Sequence, residues 1–247
     1  MGLILNATTT NVSSPPLLTK PLSYYDSVKV ARYTCGEASG TINDSIGSAD
    51  LTVSNPLNAV YQSVGVSGHG IDFTNGNTNL AIASTAVFPA IDEEFTVNWW
   101  QKFPSAPLCN LFSMAVAVGN AAAPVVFLQL VNLNTMRLVT AVLSDQHAVT
   151  GVNVADGSFH MLTLAKKLHT GTLVPTWTAF IDAQKTCSLT DLGHDPQLNP
   201  AGAFVLGKHV GGTGGITGVR DTIEVWKGAE AALSDLALTE LFALNGA

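Results

Sequence analysis

Residues 156–167, DGSFHMLTLAKK, and residues 176–182, TWTAFID, bring a histidine next to an aromatic and near two carboxylates. His160 with Asp156 or Asp182 has the residue types of a general base and its orienting acid. The surrounding pattern points elsewhere. Phe159, Met161, Thr163 and Ala165 alternate with His160, Leu162, Leu164 and Lys166, and Trp177, Ala179 and Ile181 alternate with Thr178, Phe180 and Asp182. Period two is the mark of β-strands, and LHTGTLVP between the runs has the Gly and Pro of a connection between paired strands. His160 is therefore expected to be a framework residue at the entry to a strand.

Other candidate groups fail on spacing. Glu93 and Glu94 are consecutive before a strand, so they would face opposite ways and read as a turn. Ser113, Asp145 and His147 make a nominal triad, but Ser113 has no nucleophile-elbow context. VGGTGGITG, residues 210–218, lacks the Lys-Ser/Thr ending and following helix of a phosphate loop and reads as a hairpin loop. Cys35, Cys109 and Cys187 are odd in number and widely spaced, fitting free thiols rather than a disulfide framework or a metal motif. Trp99 and Trp100 are consecutive strand residues and must point to opposite faces. One indole is expected between sheets and the other in a groove or against a neighbour, where an aromatic face suits a sugar or a protein.

These residues sit in a chain of short alternating runs from Val28 onward: VKVARYT, DLTVS, GIDF, LAIAS, FTVNWWQKF, LFSMAVAV, VVFLQLV, MRLVTAVLS, FHMLTLAKK, WTAFID, AFVLGK and DTIEVWK. Turn residues separate them, which predicts an all-β, two-sheet antiparallel sandwich. A helix is expected only at the end, where Ser234 is the N-cap and Asp235 begins LALTELFAL. Residues 1–27 are rich in Thr, Ser and Pro and read as an extended arm, with the sandwich body at 28–247. The arm's Leu3, Ile4, Leu5, Leu17, Leu18, Leu22, Tyr24 and Tyr25 are too apolar for an idle linker, and about 25 extended residues reach roughly 80 Å.

Of the 247 residues 47% are hydrophobic and only 12% charged, against about 25% charged in a typical soluble domain. The surface is left to Thr, Ser, Asn, Gly and Ala, which suits a protein partly covered by neighbours. A net charge of −7 with 11 Lys and Arg gives no basic footprint for nucleic acid. No apolar run reaches the length of a membrane span, and the amino terminus does not read as a signal peptide.

Three stretches in order carry a resemblance. Glu37, Ser39, Gly40, Thr41, Asp44 and Ser45 match an E-x-S-G-T-x-x-D-S turn before an apolar strand. Phe95, Thr96 and Trp100 match an F-T-x-x-x-W strand. Asp156, Gly157, Phe159 and His160 match a D-G-x-[FW]-H turn, followed by the apolar-acidic-apolar-aromatic strand Ile223–Trp226 and the helix start Leu233–Asp235. Over about residues 28–245 the chain resembles the concanavalin A-like, laminin-G-like jelly-roll domains. The resemblance makes His160 a framework residue and Trp99 an extra aromatic, since the family usually keeps a small residue there. Some relatives are glucanases with E-x-D-x-x-E carboxylates on one strand; that run is absent, so no catalytic residue is assigned. Other relatives bind calcium through loop oxygens. Asp72, Asn75 and Asn77 in DFTNGNTNL are the corresponding positions, with asparagines where the family often has Asp; no other cofactor is implied.

The expected role is a non-enzymatic structural protein of an assembly: a bacteriophage virion component, either a capsid decoration or a fibre or tail protein, located in the virion. Its expected partners are other virion subunits, as a homo-oligomer, without nucleic acid or membrane. The alternative is a glycan-binding lectin or adhesin module of the same fold.

Overall fold

The computed structural model describes residues 20–73, 80–82, 87, 89–90, 92–103, 109–115, 124–132, 135–140, 144–149, 153–169, 171, 173–190, 204–206 and 218–246. These residues form β1 (Lys29–Tyr33), β2 (Thr52–Val53), β3 (Val60–Val64), β4 (His69–Asp72), β5 (Leu80–Ile82), β6 (Glu94–Lys102), β7 (Cys109–Ala115) and β8 (Pro124–Asn132). They continue as β9 (Thr135–Thr140), β10 (Ser144–Val149), β11 (Phe159–Leu168), β12 (Pro175–Ile181), β13 (Gln184–Thr190), β14 (Phe204–Leu206), β15 (Val219–Gly228) and the helix α1 (Asp235–Gly246). Every pairing is antiparallel, and the strands make two sheets. One runs β13-β12-β11-β6-β15-β4-β3, with β1 also on β15, and the other runs β10-β9-β8-β7-β14-β5-β2. The chain is an antiparallel jelly-roll sandwich with one C-terminal helix, as the alternating runs predict.

Alternation decides what each strand of the eight-stranded sheet buries. Trp99, Leu162, Leu164, Trp177, Ile223 and Val225 point inward and meet Leu128, Leu130, Met136, Leu138 and Leu206 of the second sheet. Residues of opposite parity point outward, yet Trp100, Met161, Ala165, Phe180 and Trp226 are also buried, because α1 lies on them with Ala237, Leu238 and Leu241. Phe242 stacks on Trp100 at 5.6 Å between ring centroids. Both faces of β6, β11 and β15 are thus covered, so that polar residues at outward positions, among them Asn98, Thr163 and Glu224, are buried as well. The helix starts as expected: Ser234 Oγ accepts the Ala237 N–H at 3.2 Å, and Asp235 occupies the first turn.

The end of the expected arm departs from the prediction. Leu22–Val28 is a 3-10 helix rather than extended chain, and it packs on α1. Tyr25 is buried among the outer-face residues, and its hydroxyl accepts the Ser234 N–H, while Leu22 N–H donates to Glu240. Tyr24 is half exposed beside it. The reason is local: two tyrosines and Leu22 recover apolar contact on the chain's own helix at no further cost in chain closure. Leu3, Ile4, Leu5, Leu17 and Leu18 lie outside the described residues.

Candidate functional site

His160 joins the strand entry to a hairpin. Its Nδ1 lies 2.7 Å from Asp182 Oδ2 and its Nε2 3.2 Å from Asp156 Oδ1, while the other Asp182 oxygen accepts the Met161 N–H. The hydrogen bond to Asp182 raises the imidazole's pKa above its ordinary value, outweighing burial, which lowers it. With 7% of its surface exposed and both nitrogens occupied, the ring acts as a tie between β11 and the β12–β13 turn.

The turn motif around Asp44 is likewise structural. Burial pushes this carboxyl's pKa up, but N–H groups of Ile46, Arg32, Gly47 and Ala49 outweigh it and hold the pKa low. Ser45 Oγ donates to the Arg32 carbonyl, and Glu37 accepts the Asn43 N–H. The motif's acidic and hydroxyl residues thus fasten the loop to β1.

The remaining predicted sites do not assemble. Asp145 and His147 on β10 are separated from Ser113 on β7 by β9 and β8, about 14 Å across the sheet. Glu93 accepts the Ala90 N–H, and Glu94 accepts those of Leu168 and Ala232. Asp72 ends β4 opposite Val219 and Val60, but Asn75 and Asn77 lie outside the described residues, as do residues 210–217 of the glycine-rich stretch. Among the described residues, no group of three or more His, Cys, Asp or Glu side chains is placed to hold a metal. Cys35 and Cys187 are buried free thiols.

The expectation for the tryptophan pair is corrected. Trp99 is 0% exposed between the sheets and Trp100 1% exposed beneath α1, so neither indole is offered to a sugar or a partner. An outward-facing aromatic on a sheet stays open only if nothing lies across it, and here Leu238, Leu241 and Phe242 of α1 do.

What the outer face does offer lies beyond the helix, on β11, β12 and β13. Thr178 Oγ1 is 3.1 Å from Ser188 Oγ, Thr176 Oγ1 is 2.9 Å from Thr190 Oγ1, and His169 Nε2 is 2.8 Å from Thr176 Oγ1. Such cross-strand hydroxyl pairs stabilise a sheet and leave lone pairs facing water. Beside this ladder is a cleft of about 570 Å³. Phe180 and Ala165 form its apolar floor, Thr178, Lys167 and Lys185 one wall, and Lys20, Glu230 and Ser234 the other. Lys20 and Glu230 form an ion pair at 2.5 Å, and the Tyr24 hydroxyl also donates to Glu230. The hydrogen bond to Glu230 raises the Lys20 pKa, and the same contact lowers that of Glu230. Sequence reasoning missed this site. Its one local signal is the alternation of Thr176, Thr178 and Phe180 opposite Trp177 and Ala179.

No family model matches the sequence, and no curated protein matches it. Solved structures share the fold. Domain 4 of AbnA, an extracellular arabinanase from Geobacillus stearothermophilus, was solved in complex with arabinotriose; it matches with a TM-score of 0.63 at 15% identity, over 86% of this chain and 97% of that one. A sialidase of Trypanosoma rangeli gives 0.64 at 12% identity, over 87% of this chain and 32% of its own. A structure of botulinum neurotoxin type C, whose cell entry depends on interaction with two ganglioside molecules, gives 0.60 at 11% identity, over 92% and 53%. The chain therefore spans about a third of the sialidase and about half of the toxin chain.

Proposed function

We propose that the chain is a non-catalytic glycan-binding module, a lectin-like sandwich of the concanavalin A-like, laminin-G-like kind that its motifs resemble. The observation that carries this reading is the cleft beside the hydroxyl ladder, where an apolar floor adjoins fixed hydroxyl and ammonium groups. A sugar ring has the same division, with an apolar face and a rim of hydroxyls that both donate and accept. The fold neighbours add support, since one was solved with an arabinan fragment and another enters cells through gangliosides. Two of the cleft's three carboxylates are tied into local contacts, Glu94 to backbone N–H groups and Glu230 to Lys20 and Tyr24, and the third, Asp235, stands in the first turn of α1. Titration calorimetry against neutral and acidic oligosaccharides tests the reading. Thr178→Val should weaken a bound sugar about fivefold, the worth of one neutral hydrogen bond, and incubation should release no reducing ends. Retained affinity in Thr178→Val would move the site elsewhere, and release of reducing ends would make the protein an enzyme.

A second reading, a subunit of a larger assembly such as a phage virion, rests on a different observation. Among the described residues β3 is an edge strand paired only to β4, and it shows Val60 and Val64, the latter 83% exposed, near Leu57 at 98%. Exposed apolar residues on an unpaired edge favour strand addition by another chain. Val64→Lys should then lower the mass seen by light scattering, whereas a monomer at every concentration would argue against this reading.

A further inference from the structure

We infer, resting on the glycan-binding reading, that the cleft takes an acidic oligosaccharide, with Lys167 and Lys185 receiving its acid groups. The argument starts from what each charged group in the cleft already does. Lys20 is held by Glu230, and both Glu94 oxygens accept backbone N–H groups. Asp235 stands in the first turn of α1, where the helix dipole favours a carboxylate. Lys167 and Lys185 are different: both are exposed, and neither has an ion pair among the described residues, although both line the cleft with Thr178. The charges left for a ligand to meet are therefore the two ammonium groups of Lys167 and Lys185 and the single exposed carboxylate of Asp235, a positive excess, with Lys167 also near enough to Glu230 to lower that carboxyl's pKa.

Register sets their spacing. Lys167 on β11 is opposite Thr176 of β12, and Lys185 on β13 is opposite Phe180 of β12. They are two strand spacings apart across the sheet and four residues apart along it, which places their Cα atoms about 16 Å from one another. Thr178 lies between them along β12. A ligand that meets both ammonium groups is longer than one sugar, and its acid groups belong to separate units, as in an oligosaccharide of uronic acids. The net charge of −7 gives polyanions no general attraction, so binding would have to come from this pair rather than from the field of the whole protein.

The test compares trigalacturonate with neutral arabinotriose by calorimetry, at low salt and at about 0.5 M sodium chloride, where charges are screened within a few ångströms. Trigalacturonate should bind about tenfold more tightly at low salt and lose that margin at high salt. Lys167→Gln and Lys185→Gln should each weaken it about fivefold, with Lys102→Gln unchanged. Melting temperatures equal to wild type would show that these variants fold. Arabinotriose bound equally well, or either lysine variant without effect on trigalacturonate, would overturn the acidic ligand and leave the glycan module standing. Failure of the folded wild type to bind any oligosaccharide would overturn the module as well.

Discussion

At the scale of single residues, His160 shows how a group with catalytic credentials serves the framework. Its folded pKa is raised above the ordinary 6.5, chiefly by Asp182. The stabilisation it brings is fully present below about pH 6.5 and is lost as pH rises through the raised folded value. His160→Gln should therefore flatten the dependence of melting temperature on pH above 6.5, while leaving any sugar affinity as in wild type. An unchanged slope would mean that the Asp182 contact is not the source. Trp100 belongs to the same scale. Truncating it to Ala removes the stacking partner of Phe242 and should cost about 3–5 kcal/mol in chemical denaturation. For the sequence reader, both roles hung on distant residues. The alternation around His160 showed a strand, but Asp182 arrives through a hairpin, and the cover over Trp100 comes from a helix more than 130 positions later.

At the scale of elements, twelve of the strands were legible as alternating runs, and three were not: β3, β10 and β13. The reasons lie in their residues. In β13, KTCSLT buries Cys187 while Lys185 and Ser188 face outward, so a small thiol stands where a large apolar residue would have marked the period. In β3 the apolar Val60 and Val64 are the exposed ones, which inverts the signal. The site was illegible for a related cause: Thr176 and Thr178 announce a polar face, but only strand pairing brings Lys185 to it and only the helix docking brings Ser234. Turn chemistry offers a sharp test here. Asp182 and Ala183 carry φ of 51° and 61° in the two-residue β12–β13 turn, values that favour glycine. Ala183→Gly should stabilise the protein by about 1 kcal/mol, measured by urea denaturation. Gly70 is the opposite case, because a Cβ there would sit 2.8 Å from the Arg220 carbonyl oxygen. Gly70→Ala should destabilise by about 1–3 kcal/mol, since backbone on β15 cannot rotate away.

At the scale of the whole molecule, the sandwich followed from patterning and the helix from its cap, whereas the boundary of the body did not. Thr, Ser and Pro composition blends residues 20–27 with what precedes them, and it is the burial of Tyr25 and the hydrogen bonds of Leu22 and Tyr25 to Glu240 and Ser234 that show they belong to the body. A chain beginning at Lys29 should accordingly melt lower than the full protein, and Tyr25→Ala should reproduce much of the loss, about 3 kcal/mol. The pairing of β1 with β15 reaches further. Lys29 opens β1 opposite Trp226, close to Gly228 where β15 ends, so the chain enters and leaves the sheet at the same end of one antiparallel pair. Tension applied between Lys20 and Gly246 would meet the two terminal helical segments first, and then load the ladder hydrogen bonds one after another instead of together. A module tethered in this way unzips at low force. Because Lys20, Ser234 and Asp235 also line the cleft, the first step of that yielding would dismantle one of its walls, so a pull on the ends is also a release of whatever the cleft holds.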